Sequence, residues 1–168
     1  MKQSRLIAIT LSLLIFQCSV LGLLFAQSNL GADTGWNNLS SADVPTIITS
    51  KTMNLNSATK KFSYAGGVTL VKGDLTMTAD RLNGKYNDGQ GIDELTAMEK
   101  VVITKGSTIK ARSNKAVYDK KSETMLLTDN PEVTQEDSIL TADLVRIFLK
   151  ENKSLAEGNV RVKLIPKK

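Results

Sequence analysis

Hydrophobic and polar residues alternate along most of the chain from residue 47 onward. The alternation is clearest at Phe62 and Tyr64, within residues 75–79, and within residues 160–164. A period of two residues places one side of a strand on a core and the other side in water. Turn-forming residues such as Gly66-Gly67 and Asn87-Asp88-Gly89 separate the runs. Strands that recur about every 8 to 12 residues predict an all-β fold.

One segment allows two interpretations. Residues 140–150 (LTADLVRIFLK) could form an amphipathic helix with Leu144, Val145, Phe148 and Leu149 on its buried side. The Val, Ile and Phe content of the segment favours a strand instead. The strand is our prediction, and the helix is the alternative.

The chain also contains an internal repeat. The sequence VTLVKGDLTMTAD (residues 68–80) is similar to VVITKGSTIKARSN (residues 101–114), and VTQEDSILTAD (residues 133–143) is similar to both. Each unit closes on Ala-Asp or Ser-Asn, and the units recur at offsets of roughly 30 to 34 residues. A unit of this size cannot bury its apolar side alone, so the units are expected to stack and share a core. Stacking leaves the first and last strands with unpaired backbone groups.

The first 45 residues differ from the rest. Lys2 and Arg5 precede an apolar stretch of about 20 residues, which predicts a secretory signal peptide over residues 1–28, with a retained N-terminal anchor as the alternative. Residues 29–45 are polar and are interpreted as a tether. The domain itself is predicted over residues 46–166.

Composition excludes several classes of enzyme. The chain has no histidine, and its only cysteine, Cys18, lies in the predicted leader. Ser-His-Asp and Cys-His catalysis, zinc fingers and an internal disulfide are therefore excluded. Outside the leader the net charge is +3, from 20 basic and 17 acidic groups that are scattered along the chain. This pattern is typical of a solvated surface and not of a nucleic-acid interface.

Two acidic features have a structural and a chemical interpretation. Asp80 and Asp143 occupy equivalent places in the repeat and could act as paired carboxylates of a glycan hydrolase, although turn chemistry explains them more simply. Residues 87–94 (NDGQGIDE) contain a single G-x-D pattern that occurs in stacked calcium repeats, and a hairpin loop is the favoured interpretation. The sequence predicts no catalytic residue, no metal site and no cofactor.

The ordered motifs resemble one known family. The stretch ITSKTMNLNSATKKFSYAGGVTLVKGDLTMTADRL (residues 47–82) is similar to the opening of periplasmic lipopolysaccharide-export proteins of the LptA/OstA type. The matching elements are Met53-Asn54-Leu55, Tyr64-Ala65-Gly66-Gly67-Val68 and Thr78-Ala79-Asp80, with further matches at Thr141-Ala142-Asp143 and in residues 157–162. The resemblance covers about 120 residues, from residue 47 to residue 164.

The resemblance implies both a fold and a function. The fold is a twisted antiparallel β-jelly-roll, open along one side, that holds the acyl chains of lipid A between its sheets. The function is a non-enzymatic periplasmic carrier that passes lipopolysaccharide onward by head-to-tail strand addition. The implied partners are lipopolysaccharide, further copies of the chain, an inner-membrane anchored adaptor and an outer-membrane translocon. An anchored adaptor of the LptC type and a structural self-assembling β-protein are the alternatives.

Combined with the alternation, the resemblance assigns two sets of residues. Residues expected to face inward and contact lipid are Leu55, Phe62, Tyr64, Val68, Leu70, Leu75, Met77, Val101, Ile103, Ile109, Ala111, Leu126, Leu140, Leu144 and Ile147. Residues expected to form the strand-addition interface are Ile47, Ile48, Val160, Val162 and Leu164. From sequence alone, a filled sandwich core is the competing interpretation of the inward set.

Overall fold

The computed structural model describes residues 44–89, 91–151 and 153–165, and these residues form twelve β-strands. The strands are β1 (Thr46–Thr49), β2 (Thr52–Asn56), β3 (Lys61–Lys72), β4 (Leu75–Tyr86), β5 (Ile92–Lys105), β6 (Ile109–Asp119), β7 (Thr124–Thr128), β8 (Glu132–Gln135), β9 (Ser138–Thr141), β10 (Leu144–Phe148), β11 (Lys153–Glu157) and β12 (Arg161–Leu164). The predicted all-β fold is confirmed. The segment around β10 is a strand, as favoured over the helix.

All strand pairs are antiparallel and belong to one sheet. Its order follows the chain, because each strand pairs with the strands that precede and follow it or with the two pieces of a bent neighbour. Within the described part of the chain, β1 and β2 pair only with β3, while β11 and β12 pair only with β10 and β9. The sheet is therefore open, with β1 and β2 at its first edge and β11 and β12 at its last edge.

The sheet divides into two leaves, because each long strand contributes its two halves to different neighbours. Leaf A consists of β1, β8, β9, β12 and residues 68–72, 75–79, 101–105 and 109–113 of the long strands. Leaf B consists of β2, β7, β10, β11 and residues 61–65, 81–86, 92–98 and 115–119. The pairing register shifts between the leaves in β3, β4, β5 and β6.

Left-handed residues mark the bends between the leaves. Consecutive pairs with positive φ occur at Gly66-Gly67, Glu99-Lys100, Asp129-Asn130 and Gly158-Asn159. Each such pair sets two residues of one strand against fewer residues of its neighbour, which is the geometry of a β-bulge and bends the strand. Glycine adopts this conformation without a steric penalty, so Gly66 (φ +85°) and Gly67 (φ +71°) suit the first bend.

The sequence repeat is the record of these bends. The left-handed pairs recur at about the repeat interval, and the residues that end each repeat unit, Asp80, Asn114 and Asp143, lie on the strands beside them. At the last bend the amide of Asp143 donates to the carbonyl of Gly158 (2.9 Å), and the side-chain amide of Asn159 donates to the Asp143 carboxylate (2.9 Å). The Ala-Asp and Ser-Asn elements therefore stabilise a change of leaf.

The inward faces of both leaves meet in one hydrophobic cluster. Leu75 and Ile103 of leaf A and Met125 and Ile147 of leaf B are completely buried in it. Each such side chain contributes about 1.5 to 3 kcal/mol to the free energy of unfolding. Lys105 is buried at the end of β5, where its ammonium lies 3.5 Å from an Asp74 carboxylate oxygen.

The predicted signal peptide, residues 1–28, lies outside the described residues, as does the tether up to residue 43. The described strands run from residue 46 to residue 164, inside the predicted domain of residues 46–166. Among the described residues, no helix has the length and apolar character needed to cross a bilayer.

Candidate functional site

A cavity of about 860 Å³ opens between the two leaves at the first edge of the sheet. Leaf A supplies Ile48 and Leu70 to its wall. The larger share comes from leaf B, which supplies Met53, Leu55, Phe62, Tyr64, Leu95 and Tyr118. The cavity exists here because β1 and β2 separate after residue 49 and pair with different halves of β3, with no further strand covering them.

Aromatic packing shapes the leaf B wall. The rings of Phe62 and Tyr64 meet edge to face, with 5.5 Å between their centroids. Phe62 lies over Gly84 of the neighbouring strand, where a Cβ atom would be 2.8 Å from Phe62 Cε2 and 2.7 Å from the carbonyl oxygen of Glu94. The missing side chain at position 84 therefore lets the Phe62 ring lie flat against the strand.

Tyr118 forms part of the inner wall and carries a hydroxyl group into an otherwise apolar surface. Burial raises the pKa of Tyr118 to about 12, and the negative charges of Glu123, Asp119 and Asp93 add to the effect. The phenol therefore stays neutral at physiological pH and remains able to donate a hydrogen bond.

The rim of the cavity is polar and basic. Lys72 at the end of β3 and Lys120 after β6 both line it, together with Asn87, Gly89 and Gly91 of the β4–β5 turn. Burial lowers the pKa of Lys72, and the positive charge of Lys120 lowers it further. The two ammonium groups are thus close enough to repel each other across the rim.

The β4–β5 turn is held by its own hydrogen bonds. The Asn87 amide donates to the carbonyl of Gly91 (2.9 Å), and the Gly91 amide donates to Asn87 Oδ1 (3.0 Å). Asn87 Nδ2 donates to Asp93 Oδ1 (2.7 Å). The favoured interpretation of residues 87–94 as a hairpin loop is confirmed, and no cluster of metal-binding side chains occurs among the described residues.

The structure separates the predicted inward residues into two groups. Leu55, Phe62, Tyr64 and Leu70 line the cavity. The others that face inward are buried in the packed core, with Leu140 only partly buried against it: Val68, Leu75, Met77, Val101, Ile103, Ile109, Ala111, Leu140 and Ile147. The middle of the domain is therefore filled by side chains, and the space open to a ligand lies at the first edge.

The predicted orientation of Leu126 and Leu144 is wrong. In β7 the inward residues are Met125 and Leu127, and in β10 they are Val145 and Ile147, all fully buried. Leu126 and Leu144 lie on the opposite, half-buried face. Both strands carry consecutive apolar residues, so alternation could not choose the inward set; the pairing of Met125 with Tyr118 and Ile147 chooses it.

Sequence reasoning also missed part of the site. Leu95 and Tyr118 line the cavity and alternate with polar neighbours, so the period-two pattern could have identified them. The core residues missed are Leu82, Ala97, Ala116, Met125, Leu127, Val145 and Leu149. Lys72 and Lys120 gave no signal, since they are 48 positions apart among scattered lysines.

The exposed large hydrophobic side chains of the described residues all lie on or beside the edge strands. They are Ile47, Met53 and Leu55 at the first edge and Leu155, Val160, Val162, Leu164 and Ile165 at the last edge. Four of the five predicted strand-addition residues belong to this set, and the fifth, Ile48, is half-buried against the core. Val162 and Leu164 are 59% and 73% exposed, which is unusual for aliphatic side chains in a strand.

The two aspartates considered for catalysis are engaged at the bends. Lys100 Nζ donates to Asp80 Oδ2 at 2.8 Å, and this bond raises the pKa of the lysine. Asp143 accepts from Asn159, and both aspartates follow an alanine that points into the core. Their positions are explained by the turn chemistry of the bends.

Comparisons with known proteins agree with this architecture. The crystal structure of LptH, the LptA homologous periplasmic component of the conserved lipopolysaccharide transport device from Pseudomonas aeruginosa, matches with a TM-score of 0.67. The match covers 73% of this chain and 96% of that one at 14% identity, so the two share a fold. No curated protein is significantly similar in sequence. A family model described as "LptA/(LptD N-terminal domain) LPS transport protein" matches residues 47–153. Since this match spans more than half of the sequence, the chain belongs to the LptA/LptD N-terminal domain family of lipopolysaccharide transport proteins.

Proposed function

We propose that the chain is a non-enzymatic periplasmic carrier that holds acyl chains of lipopolysaccharide between its two leaves. The observation that carries the proposal is the apolar cavity, which opens between the leaves at the uncovered first edge. Its wall of Leu, Ile, Met and aromatic side chains suits fatty acyl chains, while a sugar head group stays in water at the rim. Residues 1–28 direct export in this proposal, and residues 29–45 connect the leader to the domain.

Burial of hydrocarbon supplies the binding energy. Each methylene group removed from water contributes about 0.8 kcal/mol, so ten methylenes contribute about 8 kcal/mol before the cost of ordering the chain. Few polar groups line the inner wall, so little fixes the position of a chain along it. Such a surface suits a carrier, which has to release its cargo, better than a site of tight capture.

Passage beyond the cavity requires a change in the core. Leu75 and Ile103 fill the middle of the domain and are completely buried. An acyl chain that moves deeper has to displace these side chains, and the two leaves have to separate at the bends. In this proposal the cavity is the entrance, and transport through the domain is coupled to the opening of the leaves.

The two edges provide the contact between successive protomers. Val162 pairs with Leu140, which packs on the core, so Val162 and Leu164 extend the inner apolar face of leaf A to the last edge. Ile48 pairs with Leu70 and extends the same face to the first edge. Strand addition between β12 of one protomer and β1 of the next would join these faces and cover the exposed side chains. Such an assembly does not close and can grow in one direction.

The same edges suit partner proteins of the same fold. In this proposal an inner-membrane anchored adaptor delivers lipopolysaccharide at one edge, and an outer-membrane translocon receives it at the other. Both contacts use main-chain hydrogen bonds, because the outermost strands leave one side of their backbone unpaired within the described structure.

Site-specific photo-crosslinking to lipopolysaccharide tests the lipid site. Crosslinkers at Leu55 and Leu70, whose side chains line the cavity, are compared with crosslinkers at Asn54 and Thr69, whose side chains point to the other face. We expect lipid adducts only at the first pair. Equal labelling at all four sites, or none at any site, would contradict the proposal, and none combined with persistent oligomers would favour a structural self-assembling protein.

Sizing of a charged edge variant tests strand addition. Val162→Asp places a carboxylate on the exposed inner face of β12, where strand addition would bury it. Thr78→Asp is the matched control, because it adds the same charge at an exposed position of the central strand β4. We expect concentration-dependent oligomers in the wild type and the control but not in Val162→Asp. Unchanged oligomers in Val162→Asp would remove β12 from the contact.

A further inference from the structure

Two lysines from opposite leaves lie at the rim of the apolar cavity. Lys72 ends β3 in leaf A, and Lys120 follows β6 in leaf B. We infer that these two lysines form an anion-binding rim, which holds the phosphate or carboxylate of an acylated ligand whose chain lies in the cavity. This inference rests on the proposed function and deepens it, since it specifies the charge of the head group and the direction in which the ligand lies.

The backbone around the rim favours this placement. The amide of Lys120 donates to the carbonyl of Asp93 (2.9 Å), which fixes the turn after β6 beside the β4–β5 turn. A Cβ atom at Gly91 would lie 3.3 Å from Lys120 Nζ, so the glycine leaves room for the ammonium group at the cavity mouth. Lys72 is held by its place in the ladder, where it pairs with Thr46 on one side and Leu75 on the other.

The charge of the rim is one-sided. None of the described residues that line the cavity is acidic, while two of them are lysines. The nearest carboxylate to Lys120 belongs to Asp93, 3.9 Å from its ammonium, and the same Asp93 oxygen accepts a shorter bond from Asn87. Burial and the neighbouring Lys120 charge lower the pKa of Lys72. An anion between the two ammonium groups would relieve their repulsion and replace lost hydration.

The dimensions select an amphiphile and not a free anion. A volume of about 860 Å³ lies in the range of sites that bury a drug-sized ligand, so the cavity accommodates part of a lipid with its head at the rim. Inorganic phosphate would meet the lysines at a partly solvated rim, where charge pairs contribute little. A neutral alkyl ligand would gain the apolar contacts alone. Only an anionic alkyl ligand gains both.

Calorimetric titration of the secreted chain with four probes tests the inference. The probes are decyl phosphate, decanoate, decyl maltoside and inorganic phosphate, each below the concentration at which micelles form. We expect decyl phosphate and decanoate to bind about tenfold more tightly than decyl maltoside. Inorganic phosphate should show no measurable binding. A tighter decyl phosphate than decanoate would identify a phosphorylated lipid as the ligand class, and equal affinities would identify anionic lipids of either kind.

A double variant separates the rim from the cavity. In Lys72→Gln/Lys120→Gln, the preference for anionic over neutral probes should fall to less than about threefold, while decyl maltoside binds as before. Lys85→Gln/Lys110→Gln is the matched control and should keep the preference, because these lysines do not line the cavity. In the wild type, raising the salt concentration from about 0.05 to about 0.5 M should weaken decyl phosphate and leave decyl maltoside unchanged.

The outcomes distinguish the two proposals. If decyl maltoside and decyl phosphate bind equally and the salt concentration affects neither, the anion-binding rim is overturned while the lipid cavity stands. If no alkyl probe binds, or if residues of the chain's own tether fill the cavity and exclude the probes, the proposed lipid site itself fails. Binding of inorganic phosphate as strong as that of decyl phosphate would also overturn the inference, because the acyl chain would then contribute nothing.

Discussion

Replacement of Gly84 by alanine should force the Phe62 ring off the leaf B wall. The added Cβ would lie 2.8 Å from Phe62 Cε2 and 2.7 Å from the Glu94 carbonyl oxygen. Carbon atoms in contact are normally about 3.5 to 4.0 Å apart, so the ring has to shift by roughly 0.7 Å or more. The cavity beside the ring provides the space into which it can rotate.

The expected magnitude follows from two opposing effects. Overpacking of this kind costs about 1 to 3 kcal/mol, whereas Gly→Ala in a strand contributes about 0.5 to 1 kcal/mol in favour of the folded state. Gly84→Ala should therefore lower the free energy of unfolding by about 1 to 2 kcal/mol. Urea denaturation followed by far-UV circular dichroism measures this change, with an unchanged dependence on urea concentration.

A double-mutant cycle with Phe62→Leu tests the cause. Leucine at position 62 removes the ring and leaves only the Glu94 carbonyl near the new methyl group. Gly84→Ala should then cost about 1 kcal/mol less in the Phe62→Leu background than in the wild type. An equal cost in both backgrounds, or a more stable Gly84→Ala protein, would refute the role assigned to Phe62. The displaced ring should also weaken binding of decyl maltoside in the wild-type background.

Three further predictions concern the bend, the inner wall and the buried charge. Asp143→Ala removes the hydrogen bond from Asn159 and should lower the free energy of unfolding by about 1 kcal/mol and speed amide exchange in β12; unchanged exchange would contradict it. The pKa of Tyr118 is about 12 in the folded protein and near 10 when unfolded, so its contribution is complete below pH 10 and is lost as the pH rises to 12. The wild type should therefore lose about 3 kcal/mol more than Tyr118→Phe over that interval in urea denaturation, and parallel losses would argue against the assignment. Asp74→Asn leaves the buried ammonium of Lys105 without this carboxylate, so it should destabilise the protein more than Lys105→Met does in the same assay; the reverse order would show that the pair is not coupled.

The architecture could be read from the sequence because its signals are local. Alternating residues such as Leu75 and Met77 specify a strand and its inward face without reference to any other part of the chain. The glycine and asparagine residues of the bends recur with the repeat, and the apolar residues of the two edges lie at the ends of the strand region. The family resemblance added the function, which no period or composition contains.

The tertiary structure decided what depends on pairing between distant strands. Met125 and Leu127 face inward in place of Leu126 because β7 pairs in register with β6 and β10, and a shift of one residue would reverse the choice. The open part of the interior lies at the first edge because β1 and β2 separate there, while side chains from both leaves fill the middle. Lys72 and Lys120 meet at one rim only because the bends fold two leaves over a common core. Their charges act on the same ligand through space, and separation along the chain carries no information about that distance.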